Sequence, residues 1–366
     1  MSKLRVLHMI GSLNLGGSQA MVVNLLSSIN KENVIFDFVI DRPEELYFSE
    51  QVKNFGSRVY VLPAFNGRNI SQVRNAWDAF FAEHSEYKIL HSHVRSYASL
   101  FIPIAKKHGL KTIVHSHSTS NGKGLSAFVK MLLQHPLRRI SDYLFACSLE
   151  SGKWLFGEKA TRKDNFKILK NVIDIDKNFY NPKIREQYRE RLGVSDKTVF
   201  IHVGRLHPAK NHLFLLNAFK RIIDIDSNSV LLVVGDGELK EDVVSKIDEL
   251  ALKDKVRMLG NRSDVSSLLS AADCFLFPSL WEGVPLTVIE AQAAGLPCLV
   301  SDRITDDVCI SELVTKLPID SVEPWAKAVA DMDFSRKDVR DKIIEAGYDA
   351  RTLAAWLEKF YLGALK

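Results

Sequence analysis

Long apolar runs are missing from this sequence. No window reaches the roughly 18–20 residues that a membrane-crossing helix needs. The apolar stretch in MSKLRVLHMIGSLNLGG is too short for a secretory leader and runs into glycines. It is expected to be a first strand of a cytoplasmic protein. Cysteine is scarce too: Cys147, Cys274, Cys298 and Cys309 form no C-x-x-C pair. Three lie in or beside apolar runs, which implies buried thiols in a reducing compartment. The dinucleotide fingerprint G-x-G-x-x-G is absent, since GSLNLGG puts Gly11, Gly16 and Gly17 at the wrong spacing. A nicotinamide-dependent dehydrogenase loses its best support. There is no low-complexity segment and no short repeat.

What is present is an ordinary globular composition, 46% apolar and 25% charged, over 366 residues, enough for two domains. Charge is unevenly placed. Residues 1–180 carry 24 Lys and Arg against 15 Asp and Glu; the remainder carries 25 against 29. A basic first half suits a phosphorylated substrate or an anionic lipid surface. Nucleic acid is not expected, because no recognition module accompanies the charge.

Short β-type runs alternate with helical patterns. LRVLHMI, VIFDFVI, RVYVL, KILHSH, KTIVHSHS and YLFAC are separated by stretches such as SQAMVVNLLSSI and ISQVRNAWDAFFAEH. The alternation predicts a parallel sheet covered on both faces. KILKNVIDIDKNFYNP interrupts it as a linker, and TVFIHVGRL, SVLLVVGDG, KVRMLG, CFLFPS and LPCLVSD then restart it. The expected fold class is α/β, with two Rossmann-like domains at about residues 1–178 and 179–349. A final helix at about 350–366 is free to pack back on the first. Such sheets bind ligands at the carboxyl ends of their strands.

GGSQAMVVNLL, VHSHS, VGRLHPAKNH, LVVGDGEL, MLG and PSLWEGVPLTVIEAQAAGLP occur in a characteristic order. The set resembles the retaining, nucleotide-sugar-dependent glycosyltransferases of the GT-B fold, family 4 type, as found in bacterial exopolysaccharide and capsule assembly. The resemblance implies a UDP-sugar donor and a glycan or polyprenyl-diphosphate-linked acceptor. It implies retention of configuration, and that no further cofactor is required.

Each motif has its own chemistry. The helix start at Gly283, Val284, Pro285, Leu286 and Thr287 presents free backbone N–H groups to a diphosphate. The resemblance assigns Glu282 to the donor sugar and Glu290 to the ribose hydroxyls. Arg205 and Lys210 follow an apolar strand and are expected to converge on the diphosphate, where fixed cations stabilise a leaving group whose charge grows as the bond breaks. The resemblance places Gly17 at a loop near the phosphates and His117 near the transferred sugar. It places Gly260, Asn261 and Arg262 beside the nucleobase; the competing reading is a capping loop with Ser263 as cap.

No metal is expected. His91, His93 and His115 share strand faces, but the sequence positions no converging Asp or Cys, and these histidines are read as packed side chains. The D-x-D strings Asp174-Ile-Asp176, Asp224-Ile-Asp226 and Asp331-Met-Asp333 end no strand. GKGLSAFVKMLLQHPLRRISDYLF, with Lys123, Lys130, Arg138 and Arg139, reads either as a helix at the inner face of an anionic membrane or as a core helix with a basic outer side. The family's Asn-Gly-Val-Asp is replaced by Asn171 to Asp174 without the glycine, and the run Arg303 to Val308 departs from the usual glycine-rich turn. Two alternatives remain: a UDP-sugar 2-epimerase on the same fold, and a non-catalytic partner subunit.

Overall fold

The computed structural model describes residues 3–14, 16–43, 47–118 and 124–365, which form two compact units. The first unit comprises Met1–Val172 and Gly347–Lys366. Its strands are β1 (Leu4–Gly11), β2 (Val34–Ile40), β3 (Val59–Val61), β4 (Ile89–Ser92), β5 (Lys111–Ser116), β6 (Tyr143–Ala146) and β7 (Phe166–Ile168). They pair in parallel in the order β3-β2-β1-β4-β5-β6-β7. Every residue of β2 is buried, as expected for a strand covered on both faces.

The last helix, Ala350–Gly363, belongs to this unit. Ala350, Ala354, Leu357 and Tyr361 recur at helical spacing and are buried in one core with Val22, Val23, Leu26 and Phe36. Asp349 caps the helix by accepting from the Thr352 N–H at 2.9 Å.

The second unit is Ile173–Ala346. Its strands are β8 (Thr198–Val203), β9 (Ser229–Val234), β10 (Val256–Gly260), β11 (Cys274–Phe277), β12 (Cys298–Ser301) and β13 (Val314–Leu317), parallel in the order β10-β9-β8-β11-β12-β13. The units divide after Val172, earlier than residue 178. The reason is packing: the short helix Ile175–Asn178 lies against the helices Val265–Ala271 and Leu286–Ala293 of the second unit.

In both sheets the strand order runs outward from a central strand and then reverses, between β1 and β4 in one and between β8 and β11 in the other. Loops leaving adjacent strands at such a point diverge to opposite faces and open a crevice at the carboxyl edge. Cys274 and Cys298 are buried, whereas Cys147 is half-buried and Cys309 exposed. Among the described residues no helix is long and apolar enough to cross a membrane.

Candidate functional site

In the second unit, the loops after β8 and β11 meet at the reversal. The chain leaves β8 through Gly204 and Arg205, makes a single 3-10 turn at Pro208–Lys210 and enters the helix His212–Ile225. His207 shapes this turn, its Nδ1 accepting from the Ala209 N–H at 3.1 Å. Asn211 follows in the left-handed conformation, at φ 56°, and its side-chain amide donates to the Pro278 carbonyl at 3.2 Å. The Leu280 N–H donates to the Ala209 carbonyl at 2.7 Å. The two loops are thus stitched together by backbone contacts, and the stitching brings Lys210 to Glu282. Lys210 Nζ lies 2.7 Å from Glu282 Oε1, with both side chains more than four-fifths buried, and 4.6 Å above the Phe277 ring.

Two glycines of the loop after β9 let the backbones around Arg205 approach closely. A Cβ on Gly235 would lie 2.1 Å from the Gly204 carbonyl oxygen, and one on Gly237 would lie 2.5 Å from that of Leu206. Arg205 itself is 70% exposed and is not drawn to Lys210; it pairs with Glu238 at 3.2 Å. The sequence led us to expect both cations on one anion. In the unliganded chain each cation instead has its own carboxylate.

The helix Leu286–Ala293 starts directly after the Glu282 loop, with Pro285 as its cap residue and Leu286 and Thr287 in its first turn. Its first N–H groups have no acceptor within the helix. Gly283 is exposed, and Val284 packs against the core below. Glu290 sits on the half-buried side of this helix, and its carboxylate has no partner among the described residues. Desolvation pushes its pKa up to about 7, against a smaller opposing pull from Lys177.

Beyond β10, Gly260 adopts φ 65°, and its carbonyl accepts from the Gly235 N–H at 2.8 Å. Asn261 is exposed. Arg262 grips Asp264 through two bonds of 2.8 and 2.6 Å, and Tyr188 donates to the same carboxylate at 2.8 Å. The expected cap Ser263 is displaced by Asp264 at the cap position of helix Val265–Ala271. The Asp264 carboxylate caps no N–H because Arg262 and Tyr188 occupy it. A Cβ on Gly17, Gly260 or Gly283 would meet no atom within 4 Å among the described residues. Gly17 opens a helix, Gly260 ends β10 and Gly283 lies in the loop before helix Leu286–Ala293. The D-x-D strings serve local turns: Asp174 caps a short helix, Asp226 accepts from Thr198 at 2.6 Å, and Asp333 accepts from Ser335.

In the first unit, Gly16 is the cap residue and Gly17 the first residue of helix Gly17–Ser28, which follows β1. His117 lies just past β5 and donates from Nδ1 to Asn171 Oδ1 at 3.1 Å. That bond fixes the polarity of a chain of rings. His117 Nε2 accepts from His93 Nδ1 at 2.8 Å, and His93 Nε2 accepts from His8 Nδ1 at 3.0 Å. A branch joins His115 Nδ1 to His91 Nε2 at 3.3 Å and His91 Nδ1 to the Tyr361 hydroxyl at 2.6 Å. Burial lowers all five pKa values, that of His8 to about 3 and that of His117 to about 4, so the rings are neutral at pH 7.

No Asp or Cys joins the strand histidines among the described residues; the side chain that does is a further histidine, His8. His8 pairs in register with His91 across β1 and β4. His8, His91 and His93, and likewise His93, His115 and His117, each bring one ring nitrogen per residue within 4.8 Å of the others. Sequence reasoning also missed Arg95, whose guanidinium stacks 4.8 Å over Trp154 and whose charge further lowers His117. It missed His202 as well, buried beneath Gly204 and donating from Nδ1 to the Leu276 carbonyl at 2.8 Å. The signal for Arg95 was its position three residues past β4; His202 gave none, being one polar residue inside an apolar strand.

Two Rossmann-like units, each built on a parallel sheet, are the elements of the GT-B architecture. The family described as "Glycosyl transferases group 1" matches residues 184–350, and "Glycosyltransferase Family 4" matches residues 15–177. The chain belongs to the GT-B glycosyltransferases related to these two families, and is an enzyme of that class. It is 29% identical over 367 residues to EpsF of Bacillus subtilis (strain 168), covering 96% of this chain and 94% of that one. It is 28% identical to the UDP-Gal:alpha-D-GlcNAc-diphosphoundecaprenol alpha-1,3-galactosyltransferase of Escherichia coli, covering 94% and 93%. Among solved structures, Anabaena Alr3699/HepE in complex with UDP superposes with a TM-score of 0.76 at 18% identity, covering 99% of this chain and 100% of that one.

Proposed function

We propose that this enzyme transfers a hexose-type sugar from a UDP-sugar to a glycan or polyprenyl-diphosphate-linked acceptor, with retention at the anomeric carbon, in surface polysaccharide assembly. The observation that carries the reading is the Lys210–Glu282 pair at the strand reversal, beside a helix start. An arriving diphosphate takes over Lys210 and the free N–H groups of the helix, and releases Glu282 to the donor sugar's hydroxyls. Arg205, exposed and paired with Glu238, swings to the leaving phosphate. Glu290, unpartnered on the same helix, accepts from the ribose hydroxyls. The sequence names no carboxylate as a covalent nucleophile, so a same-face displacement assisted by the leaving phosphate, as the family resemblance implies, fits retention. The base is assigned to the Gly260–Arg262 loop. UDP is supported by the names of the galactosyltransferase and HepE relatives.

The acceptor is assigned to the first unit, near Gly17, His117 and Arg95. The helix Leu125–Gln134 supports a lipid-borne acceptor. Phe128, Met131 and Leu132 are each more than half exposed, with Lys130 between them and Arg138 and Arg139 following. An apolar ridge flanked by cations suits the cytoplasmic face of an anionic membrane, and not a core-facing role. Gly122 and Lys123 of this basic stretch lie outside the described residues.

The test is a panel of UDP-, GDP- and ADP-sugars screened for binding, with the best donor then offered to lipid-linked sugar acceptors. The anomeric configuration of the product is read by NMR. Selective UDP-sugar binding and an axial product from an axial donor are expected. An epimerised donor formed without acceptor, or inversion, would replace this reading with another.

A further inference from the structure

The five clustered histidines of the first unit are more than the proposed sugar transfer requires, since that transfer draws on His117 alone. Three features set the inner members apart. His8 comes from β1 and His91 and His93 from the end of β4, so the group spans the two strands at the sheet's reversal. The His8 Nε2 atom is buried, on a residue 1% exposed, and has no hydrogen-bond partner among the described residues. An orphaned buried nitrogen of this kind is unfavourable unless something else takes its lone pair. Finally, the His91 ring is oriented from outside: the Tyr361 hydroxyl, on the C-terminal helix, holds Nδ1 at 2.6 Å and turns Nε2 to the cluster, where it meets His115 Nδ1 at 3.3 Å. A hydroxyl or carboxylate behind a ligating imidazole is the usual means of fixing its orientation.

The geometry points to a transition-metal site formed by His8, His91 and His93, selective for a borderline divalent cation of the Zn2+, Co2+ or Ni2+ type. One nitrogen from each ring lies within 4.8 Å of the other two. Tetrahedral coordination at about 2.0–2.1 Å requires nitrogens about 3.3–3.4 Å apart. The nitrogens farthest apart therefore need to close by up to about 1.5 Å. An all-imidazole set without carboxylate selects against Mg2+ and Ca2+. A fourth position is left for water or for His115. All the ligands belong to the first unit, so the ion takes no part in the diphosphate chemistry assigned to the second. It does draw on His93, the ring that holds His117 Nε2.

The experiment uses the full chain, stripped with chelator and titrated with Zn2+ by calorimetry and with Co2+ by visible absorption. One equivalent of Zn2+, a rise in the unfolding midpoint, and the strong visible bands of four-coordinate Co2+ are expected. His8→Gln and His91→Gln should each weaken Zn2+ binding by more than about tenfold and abolish those bands. The exposed-histidine control His135→Gln should change neither. Should the buried variants fail to fold by circular dichroism, imidazole 15N shifts of the unmodified protein decide. Zn2+ must move the resonances of His8, His91 and His93. Binding that survives His8→Gln, shifts confined to other histidines, or the weak spectrum of six-coordinate Co2+ would overturn the assignment.

Discussion

Lys210 Nζ stands 2.7 Å from Glu282 Oε1 although 72 residues separate them, because the Ala209 carbonyl and the Leu280 N–H tie their loops together. On the proposed reading, Glu282 occupies the side of Lys210 that the donor's phosphate takes over. Removing the acid leaves a largely buried ammonium without a partner, at a cost of about 3 kcal/mol. Glu282→Ala is therefore expected to unfold at lower denaturant, and saturating UDP should recover most of the loss. Equal destabilisation with and without UDP would show that Lys210 does not meet the nucleotide.

Arg205 makes the opposite prediction for stability. It is 70% exposed and its Glu238 partner 45%, so Arg205→Ala should leave the unfolding free energy within about 0.5 kcal/mol. Its effect belongs to the transition state: kcat is expected to fall by about 10²–10³, with donor affinity changed far less. A full transfer rate with unchanged donor affinity would remove Arg205 from the mechanism.

Glu290 links the site to pH. Its folded pKa is raised to about 7, so the folded state holds a proton that the unfolded chain has released. The associated stability is fully present below the unfolded value of about 4.5 and is lost as pH rises through about 7, at most about 3 kcal/mol. Glu290→Gln should be more stable than the parent at pH 8 and show a flatter profile between pH 4.5 and 7 by urea unfolding. It should also bind UDP more weakly. An unchanged pH profile would mean that Glu290 is solvated.

The loop glycines make a steric prediction. Gly235 has φ 134° and no room for a Cβ against the Gly204 carbonyl. Gly235→Ala should cost about 2–4 kcal/mol and displace the β8 loop that carries Arg205, lowering kcat as well. Gly283→Ala, whose Cβ would meet nothing within 4 Å, should leave stability intact and weaken donor binding alone.

For the helix Leu125–Gln134, replacing Phe128 and Leu132 with Ser should leave folding unchanged, since both are more than half exposed. Sedimentation with anionic vesicles should fall sharply in the double variant. Equal sedimentation of the two proteins would argue against this face as the contact.

What the sequence disclosed and what it hid follow from range. The alternation of apolar strands with amphipathic helices is local, so both sheets were legible. Lys210 was legible as a candidate because it follows an apolar strand by a few residues, and Glu282 because it lies in a motif that resembles the family's. Their pairing depends on β8 and β11 being neighbours, which only the topology decides. His8 was illegible as a cluster member because it sits inside LRVLHMI as one polar residue among apolar ones. Its register with His91 is a contact across 83 residues. Ser263 was a sound cap by residue type, but Arg262 and Tyr188 organise Asp264 in its place. The exposure of Phe128 and Leu132 contradicts their hydrophobicity and so could not be read from it.

The central claim is that a nucleotide diphosphate displaces Glu282 from Lys210 at the reversal of the second sheet. Calorimetric titration of UDP into the parent enzyme and Lys210→Ala, at one ionic strength, tests it most directly. A loss of affinity of tenfold or more, about 1.4 kcal/mol, with uridine itself binding both proteins equally, is the expected result. UDP binding both proteins with the same affinity would contradict it.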